Sequence, residues 1–157
     1  MAVENRIEGL AALKQALREL SPKLRRRALR NALSAGARVF RDEAKRLAPV
    51  ISAASYAVRK GYRKAGTLRN AIRVRTSKIA RRAGDVGVFV NVKPAKGAER
   101  GGKSPNDPFY WRFVEFGTAK AGAKAFLRPA ANSKQGDALN KIVAVLGPAI
   151  QKLNTPR

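Results

Sequence analysis

Residues 109–131 read FYWRFVEFGTAKAGAKAFLRPAA, and this stretch decides how the second half of the chain is expected to fold. It opens with five aromatic residues within eight positions, and aromatic residues suit a pleated, half-buried surface. The pattern from Tyr110 to Phe116 therefore predicts a β-strand, with Gly117 at a sharp turn after it. Pro129 suits the first turn of a helix, where its missing N–H is not needed. The stretch predicts a strand, a loop and the start of a C-terminal helix.

Three side chains of this predicted strand carry the main expectations about it. If Phe113 and Phe116 are buried, replacing either by alanine should cost roughly 3–5 kcal/mol of stability. Glu115 is the one acid within the aromatic strand, and three interpretations of it stay open. It is a catalytic carboxylate, or it forms a buried ion pair with an arginine such as Arg128, or it makes a contact across a subunit boundary.

The clearest helix of the sequence extends from Pro22 to about Leu47. Ser21 with Pro22 is a typical start signal, and the Ala48-Pro49 pair ends the helix. The apolar residues recur at about 100° per residue, as they do on the core-facing side of a helix. This predicted core stripe consists of Leu29, Leu33, Gly36, Phe40 and Leu47, with Ala28, Ala32, Ala35 and Val39 beside it.

The opposite face of the same helix carries a row of six cations and one serine, which we name the basic rail. Only Asp42 and Glu43 are available as acidic partners, and like charges three or four residues apart repel one another within a helix. This favours an external anion or a partner protein beside the rail, with a solvated helix face as the alternative. The basic rail consists of Lys23, Arg27, Arg30, Ser34, Arg38, Arg41 and Lys45.

A β-hairpin is predicted after the long helix. From Ile72 to Ile79 apolar residues alternate with basic and polar ones, so that Arg73 and Arg75 share the polar face. Val86 to Val92 predicts the second strand, and the residues between the two strands turn the chain.

These elements predict a single α+β domain over residues 1–157, in which a small antiparallel sheet packs against a long N-terminal helix and a C-terminal helix. The helical part also holds a shorter helix from Ala2 to Leu20. Residues 93–108 are rich in glycine, proline and lysine without an apolar period, which is typical of a long mobile loop. The divisions are 1–48 helical, 49–66 basic loop, 67–118 antiparallel sheet with the mobile loop 93–108, and 129–153 C-terminal helix.

Charge is the most unusual property of the composition. Thirty-four Lys and Arg stand against ten Asp and Glu, which gives a formal net charge of +24. Residues 21–82 alone hold 19 basic and 2 acidic residues. Solubility of a small domain requires only ~2–8 net charges, and a field of this size attracts polyanions. The charge favours a surface near nucleic acid, such as a DNA channel, with a solvated surface or an acidic neighbour in an assembly as alternatives.

The residues that most enzymes and metal sites need are scarce in this sequence. The chain contains no histidine and no cysteine, so the usual general base and the usual zinc ligands are absent. No phosphate-binding glycine loop is followed by Lys-Ser/Thr, and no nucleophile–base pair is visible. There is no signal-peptide pattern and no run of ~20 apolar residues. We therefore expect a protein that is not an enzyme, has no cofactor and does not enter a membrane.

Two segments of the chain resemble a family of tailed-bacteriophage proteins. The first is YWRFVEFGT at 110–118 followed by FLRPA at 126–130, and the second is GTLRNAI at 66–72. The family lies at the junction of head and tail and includes head–tail joining, neck, tail-completion and minor tail proteins. Ala125 stands where a proline is common in this family, and Ala71 where a serine is common. The motif positions are Phe113, Glu115, Phe116, Gly117, Thr118, Phe126, Leu127, Arg128 and Pro129.

The resemblance implies a structural virion protein of the head–tail junction that joins head to tail and is assembled in the host cytoplasm. Its expected partners are copies of itself in a cyclic ring, neighbouring phage connector and tail proteins, and double-stranded DNA in the lumen. Non-specific attraction to phosphates suffices there, because DNA must slide. The candidate DNA or partner contacts are Lys23, Arg27, Arg30, Arg38, Arg41, Lys45, Arg73 and Arg75.

The alternative that charge alone supports is a stand-alone, non-sequence-specific nucleic-acid-binding protein. No helix-turn-helix, zinc-finger or RNA-recognition signature is visible in the sequence to support it further.

Overall fold

The computed structural model describes residues 10–50, 64–97, 100–101 and 104–154. The first part of the predicted Ala2–Leu20 helix and most of the predicted basic loop 49–66 lie outside these residues. Within them the elements follow in this order: α1 (Leu10–Glu19), α2 (Pro22–Leu47), α3 (Thr67–Ala71), β1 (Ile72–Thr76), α4 (Lys78–Arg82), β2 (Val88–Val92), α5 (Trp111–Phe116), α6 (Leu127–Ser133) and α7 (Gln135–Asn154). The α+β class with a long N-terminal helix, a C-terminal helix and a small antiparallel sheet is confirmed.

Helix α2 is the central element, and its predicted bounds are confirmed. Ser21 precedes it with an extended backbone, although its side chain makes no capping hydrogen bond, and Pro22 takes the first helical position. Ala48 returns to extended backbone and ends the helix. Because α2 contacts β1, β2, α6 and α7, it lies between the sheet and the C-terminal helix.

The most buried side of α2 consists of small residues, and four of them, Gly36, Ala28, Ala32 and Ala35, were predicted on the core stripe or beside it. Its leucines and Phe40 are only partly buried. A Cβ atom on Gly36 would lie 2.5 Å from Ile142 Cγ1 and 2.9 Å from the carbonyl oxygen of Ala138. Helix α7 therefore approaches α2 too closely for a larger side chain at this position. The buried residues of α2 are Ala28, Ala32, Ala35, Gly36, Ala37 and Ala44.

Two clusters of buried residues lie along α2. The first joins α1, the N-terminal half of α2 and α7 around Leu20, Ala32 and Leu146. The second joins the C-terminal end of α2 to α3, the sheet and α6, and it contains Phe126 and Ile72, both fully buried. The second cluster fixes the sheet against α2, which positions the candidate site described below.

The predicted β-hairpin is confirmed, but its strands are shorter than the sequence suggests. β1 and β2 pair antiparallel in the register Ile72↔Val92 to Thr76↔Val88. β1 ends at Thr76 instead of Ile79, because the Ser77 side chain accepts the backbone N–H of Ala80 at 3.2 Å and starts helix α4. Ile79 consequently lies on a helix and is 81% exposed.

The strand predicted over Tyr110–Phe116 is wrong, because these residues form helix α5. The N–H of Trp111 donates to the carbonyl oxygen of Pro108 at 2.9 Å and starts the helix. The helical spacing turns Val114 and Glu115 inward and Phe116 outward. Aromatic content favours strands only where the tertiary context supplies a sheet neighbour. Among the described residues, the sheet therefore has two strands.

The turn and the C-terminal helix predicted after this stretch are confirmed. Gly117 has φ +78°, and a Cβ atom there would lie 2.9 Å from the backbone nitrogen of Ala123. Pro129 lies in the first turn of α6, which ends at Ser133, and after a break at Lys134 helix α7 extends from Gln135 to Asn154.

The predicted loop 93–108 contains a buried carboxylate that the sequence analysis did not single out. Asp107 is fully buried, and it accepts the backbone N–H groups of Ala95, at 3.1 Å, and Gly101. One carboxylate thus ties two distant points of the loop together. The mobility of this loop stays a prediction.

Candidate functional site: a basic groove

A groove of about 620 Å³ lies between the C-terminal half of α2, strand β1 and helix α4. Seven cations line it, together with three hydroxyl groups and Val74, and none of these lining residues is acidic. We name this surface the basic groove. Its cations are Arg38, Arg41, Lys45, Arg73, Arg75, Lys78 and Arg81.

The cations of the basic groove form three rows, one each on α2, β1 and α4. Helical and strand periodicity explain why the first two rows face the groove. On α2, Arg38, Arg41 and Lys45 are spaced by three and four residues and therefore lie on one face. On β1, Arg73 and Arg75 lie two residues apart, and therefore on one face of the strand. Since the hairpin packs on α2, the two rows line the same groove.

The third row comes from α4, which the sequence analysis missed. Lys78 and Arg81 lie one helical turn apart and line the end of the groove. Ser77 contributes twice, because it lines the groove and caps α4. The signal that could have revealed α4 is this serine directly before a run of helix-forming residues.

One carboxylate beside the groove compensates one of its seven cations. The carboxylate of Asp42 accepts hydrogen bonds from Arg41 Nε at 2.8 Å and Arg41 Nη2 at 2.9 Å. This contact holds the pKa of Asp42 below its ordinary value and raises the pKa of Arg41, with Lys45 and Arg38 also favouring the charged carboxylate. Among the described residues, no ion pair joins the other six cations to a carboxylate. The groove therefore keeps a concentrated positive charge.

Five of the eight sequence-predicted contact residues lie in the groove, and three lie outside it. Arg38, Arg41, Lys45, Arg73 and Arg75 are brought together as described above. The remaining three are exposed on the N-terminal half of α2, away from the groove lining. They are Lys23, Arg27 and Arg30.

The structure gives Glu115 a different partner from those expected. Its Oε2 accepts the N–H groups of Phe126, at 2.8 Å, and Leu127, at 2.9 Å, and its Oε1 accepts that of Arg128 at 3.0 Å. The side chain is 2% exposed, so it does not reach a subunit boundary. Glu115 satisfies backbone N–H groups at the start of α6, which have no partner within the helix. Among the described residues Glu115 therefore contacts the backbone N–H of Arg128, and the ion pair with the Arg128 side chain, one of the three interpretations, is not formed.

Most of the motif that carries the resemblance has a structural role in joining α5 to α6. Glu115 makes the joint, Gly117 turns the chain, and Phe126 is fully buried beneath it. The Thr118 hydroxyl accepts the N–H groups of Lys120 and Ala121 and closes the turn that follows. The rings of Phe113 and Phe116 differ from that of Phe126, because they are 56% and 65% exposed.

The residues that the structure describes contain neither a metal-binding cluster nor a membrane-spanning helix. No group of three or more His, Cys, Asp or Glu side chains there is arranged to hold a metal ion. None of the helices there combines the length and the apolar character that crossing a membrane requires.

By fold and site, the chain is an α+β protein with a cation-lined groove on its surface. A comparison with known protein families matches residues 11–117, more than half of the 157-residue chain, to the family described as "Bacteriophage HK97-gp10, putative tail-component". The chain belongs to this family of bacteriophage tail components, which confirms the resemblance and assigns the protein to the virion. Searches among curated proteins and among solved structures found no match.

Proposed function

We propose that the protein is a subunit of a ring at the phage head–tail junction and that it joins head to tail around the DNA passage. The basic groove is the observation that carries this proposal. It lies within the residues that match the tail-component family, so it belongs to the part of the chain that the family shares.

The chemistry of the groove suits phosphates. Five of its seven cations are arginines, whose planar guanidinium groups bind phosphate oxygens through two parallel hydrogen bonds. The hydroxyl groups of Ser34, Thr76 and Ser77 are further donors of the kind that bind the DNA backbone. Such contacts attract DNA of any sequence, as a passage for a moving duplex requires.

Charge balance supports a ring that closes around a polyanion. Copies with a formal net charge of +24 each repel one another. Double-stranded DNA carries one negative charge per ~1.7 Å of its axis and would offset this repulsion if it passed through the lumen.

The proposed subunit is one domain, since α2 contacts both the sheet and the C-terminal helices. Identical subunits commonly assemble with closed cyclic symmetry, which gives a ring.

The proposed role is structural and needs no catalytic group. The two carboxylates that are buried in the described part of the chain, Asp107 and Glu115, both accept backbone N–H groups. Both carboxylates therefore have a structural role.

A pair of matched triple variants tests the groove. Arg38, Arg73 and Arg75 are replaced by glutamine in one protein, and Lys23, Arg27 and Arg30 in the other, so that both lose three charges. Binding to labelled duplex DNA is followed by fluorescence anisotropy over a range of salt concentrations. We expect the groove variant to bind DNA of every sequence more weakly. The slope of the logarithm of the binding constant against the logarithm of the salt concentration should become smaller in magnitude by roughly 3, since each phosphate contact contributes about 0.9. The other variant should keep a slope close to that of the unmodified protein.

Equal losses in the two variants would mean that net charge alone binds DNA and that the groove has no special part. Electron microscopy of purified particles tests the location and the ring. Absence of the protein from particles, together with tight binding to duplex DNA in isolation, would favour the stand-alone nucleic-acid-binding protein instead.

A further inference from the structure

We propose that the exposed aromatic face of α5 and the apolar hollow beside it receive an acidic segment with a large apolar side chain, supplied by a neighbouring virion protein of different sequence. We name this surface the aromatic face and define it by Phe113, Phe116 and the hollow next to Phe116. The proposal rests on the proposed function in one respect, because it takes the neighbour to be another protein of the particle.

The hollow lies between α2, β2, α5 and α6 and has a volume of about 520 Å³. Its lining is almost entirely apolar and includes Phe40, Val90, Trp111, Phe116 and Leu127. This volume falls within the ~300–1,000 Å³ of concave sites that bind ligands. It can therefore accommodate a large apolar side chain from outside.

Two large rings lie exposed on the same short helix at its edge. Phe113 is 56% exposed and Phe116 is 65% exposed. Single exposed apolar residues are ordinary, but grouped aromatic residues with adjacent arginines are typical of protein–protein interfaces. The three hydrogen bonds of Glu115 fix α5 to the start of α6. The helix that carries both rings is thus fixed before a partner arrives, which lowers the entropic cost of binding.

Charge identifies the kind of partner. From Pro108 to Ser133 the only acid is Glu115, and it is buried. The exposed charged residues of this range are all cations, namely Arg112, Lys120, Lys124 and Arg128. The Arg128 guanidinium carbon lies 5.9 Å from the centre of the Phe116 ring, and that of Arg112 lies 5.4 Å from Trp111. An acidic segment complements this edge, whereas a basic one is repelled.

The same reasoning disfavours a second copy of this chain as the occupant. Of the carboxylates that the structure describes, only those of Glu19 and Asp85 are exposed and outside the three ion pairs. A second copy would therefore bring mainly cations to a cationic edge. The occupant is a protein of different sequence.

Peptide binding to the full-length protein tests the surface itself. The probes are three synthetic peptides of equal length. The first contains Asp, Glu, Trp and Leu, the second has alanine in place of Trp and Leu, and the third has Asn and Gln in place of the acids. We expect the first to bind most tightly by isothermal titration calorimetry. Phe116→Ala should weaken its binding roughly tenfold or more, to the level of the alanine peptide. The control Ile79→Ala removes an apolar side chain that is even more exposed and lies outside the aromatic face, and it should leave binding unchanged.

Equal affinity for the first two peptides, or no effect of Phe116→Ala, would show that charge alone attracts the probes and would overturn the proposal. The groove variants Arg38→Gln, Arg73→Gln and Arg75→Gln separate this test from the proposed function. They should weaken DNA binding and leave the difference between the two peptides intact.

A photo-reactive phenylalanine analogue at position 113 then identifies the occupant in assembled particles. Mass spectrometry of the cross-linked product should show an acidic segment of another virion protein. A cross-link to a second copy of this chain, to DNA or to nothing would overturn the proposal.

Discussion

At the scale of single residues, Glu115 joins α5 to α6 through three hydrogen bonds with backbone N–H groups. Burial on its own would raise the pKa of this carboxyl group, since it disfavours the charged form. The N–H groups of Phe126, Leu127 and Arg128, helped by the charge of Arg128, outweigh burial and hold the pKa below its ordinary value. The sequence showed an acid among aromatic residues, but only the tertiary structure showed that it accepts backbone N–H groups.

Replacing Glu115 with glutamine should destabilise the protein by roughly 2–3 kcal/mol at pH 7, because an NH₂ group then faces backbone N–H donors. The lowered pKa means that the carboxylate stabilises the fold above the unfolded pKa of about 4.3. This stabilisation is lost as the pH falls through the folded pKa. The difference in free energy of unfolding between the unmodified protein and Glu115→Gln should therefore shrink as the pH falls. Urea unfolding at a series of pH values measures it.

The exposed Glu19→Gln variant is the control, and its stability should stay within about 0.5 kcal/mol of the unmodified protein. A gap for Glu115→Gln that stays constant down to strongly acidic pH would contradict a charged carboxylate at this position.

At the scale of elements, the bounds of the longest helix were predicted correctly, whereas two short helices were not predicted. Helix α2 is 26 residues long and repeats its pattern over many turns, so its bounds could be predicted from the sequence. Helices α4 and α5 have five and six residues, and a pattern this short fits a strand or a helix equally well. Contacts distant in sequence, such as that of Glu115 with α6, therefore decide the type of element.

Replacing two phenylalanines of the motif should have opposite results, because Phe113 is exposed on α5 and Phe126 is buried just before α6. Phe113→Ala should change the free energy of unfolding by less than about 1 kcal/mol, since the ring is 56% exposed. Phe126→Ala should cost roughly 3–5 kcal/mol, because it leaves a cavity in the core. Thermal and urea unfolding of the two variants measure this difference. A large loss in Phe113→Ala would instead support the buried strand expected from the sequence.

At the scale of the whole molecule, the unbalanced charge dominates. Only three ion pairs join side chains among the described residues, against a formal net charge of +24 for the full chain. The basic groove concentrates part of this charge on one side of α2, while α7 covers another. Repulsion among these cations opposes compaction, and a bound polyanion would relieve it.

Raising the concentration of sodium chloride should therefore stabilise the isolated protein. Between about 0.02 and 0.5 M the screening length falls several-fold, and self-repulsion weakens with it. A gain of ~1–2 kcal/mol would raise Tm by several degrees, since 1 kcal/mol corresponds to ~2–4 °C in chains of about this size. Differential scanning fluorimetry measures the shift. The triple groove variant should respond less, and a Tm that falls with salt would show that attractive pairs outweigh the repulsion.

Composition and short-range patterns were enough to predict the α+β class, the bounds of α2 and the hairpin, and they show the excess of cations and the lack of histidine and cysteine. These properties depend on composition or on patterns between near neighbours, which are written directly in the chain. Two features became visible only in the folded chain: Arg38 of α2 and Arg73 of β1 line one groove, and Phe116 faces outward. Both outcomes depend on how distant segments pack, namely the hairpin on α2 and Glu115 on α6, and no local pattern encodes that packing.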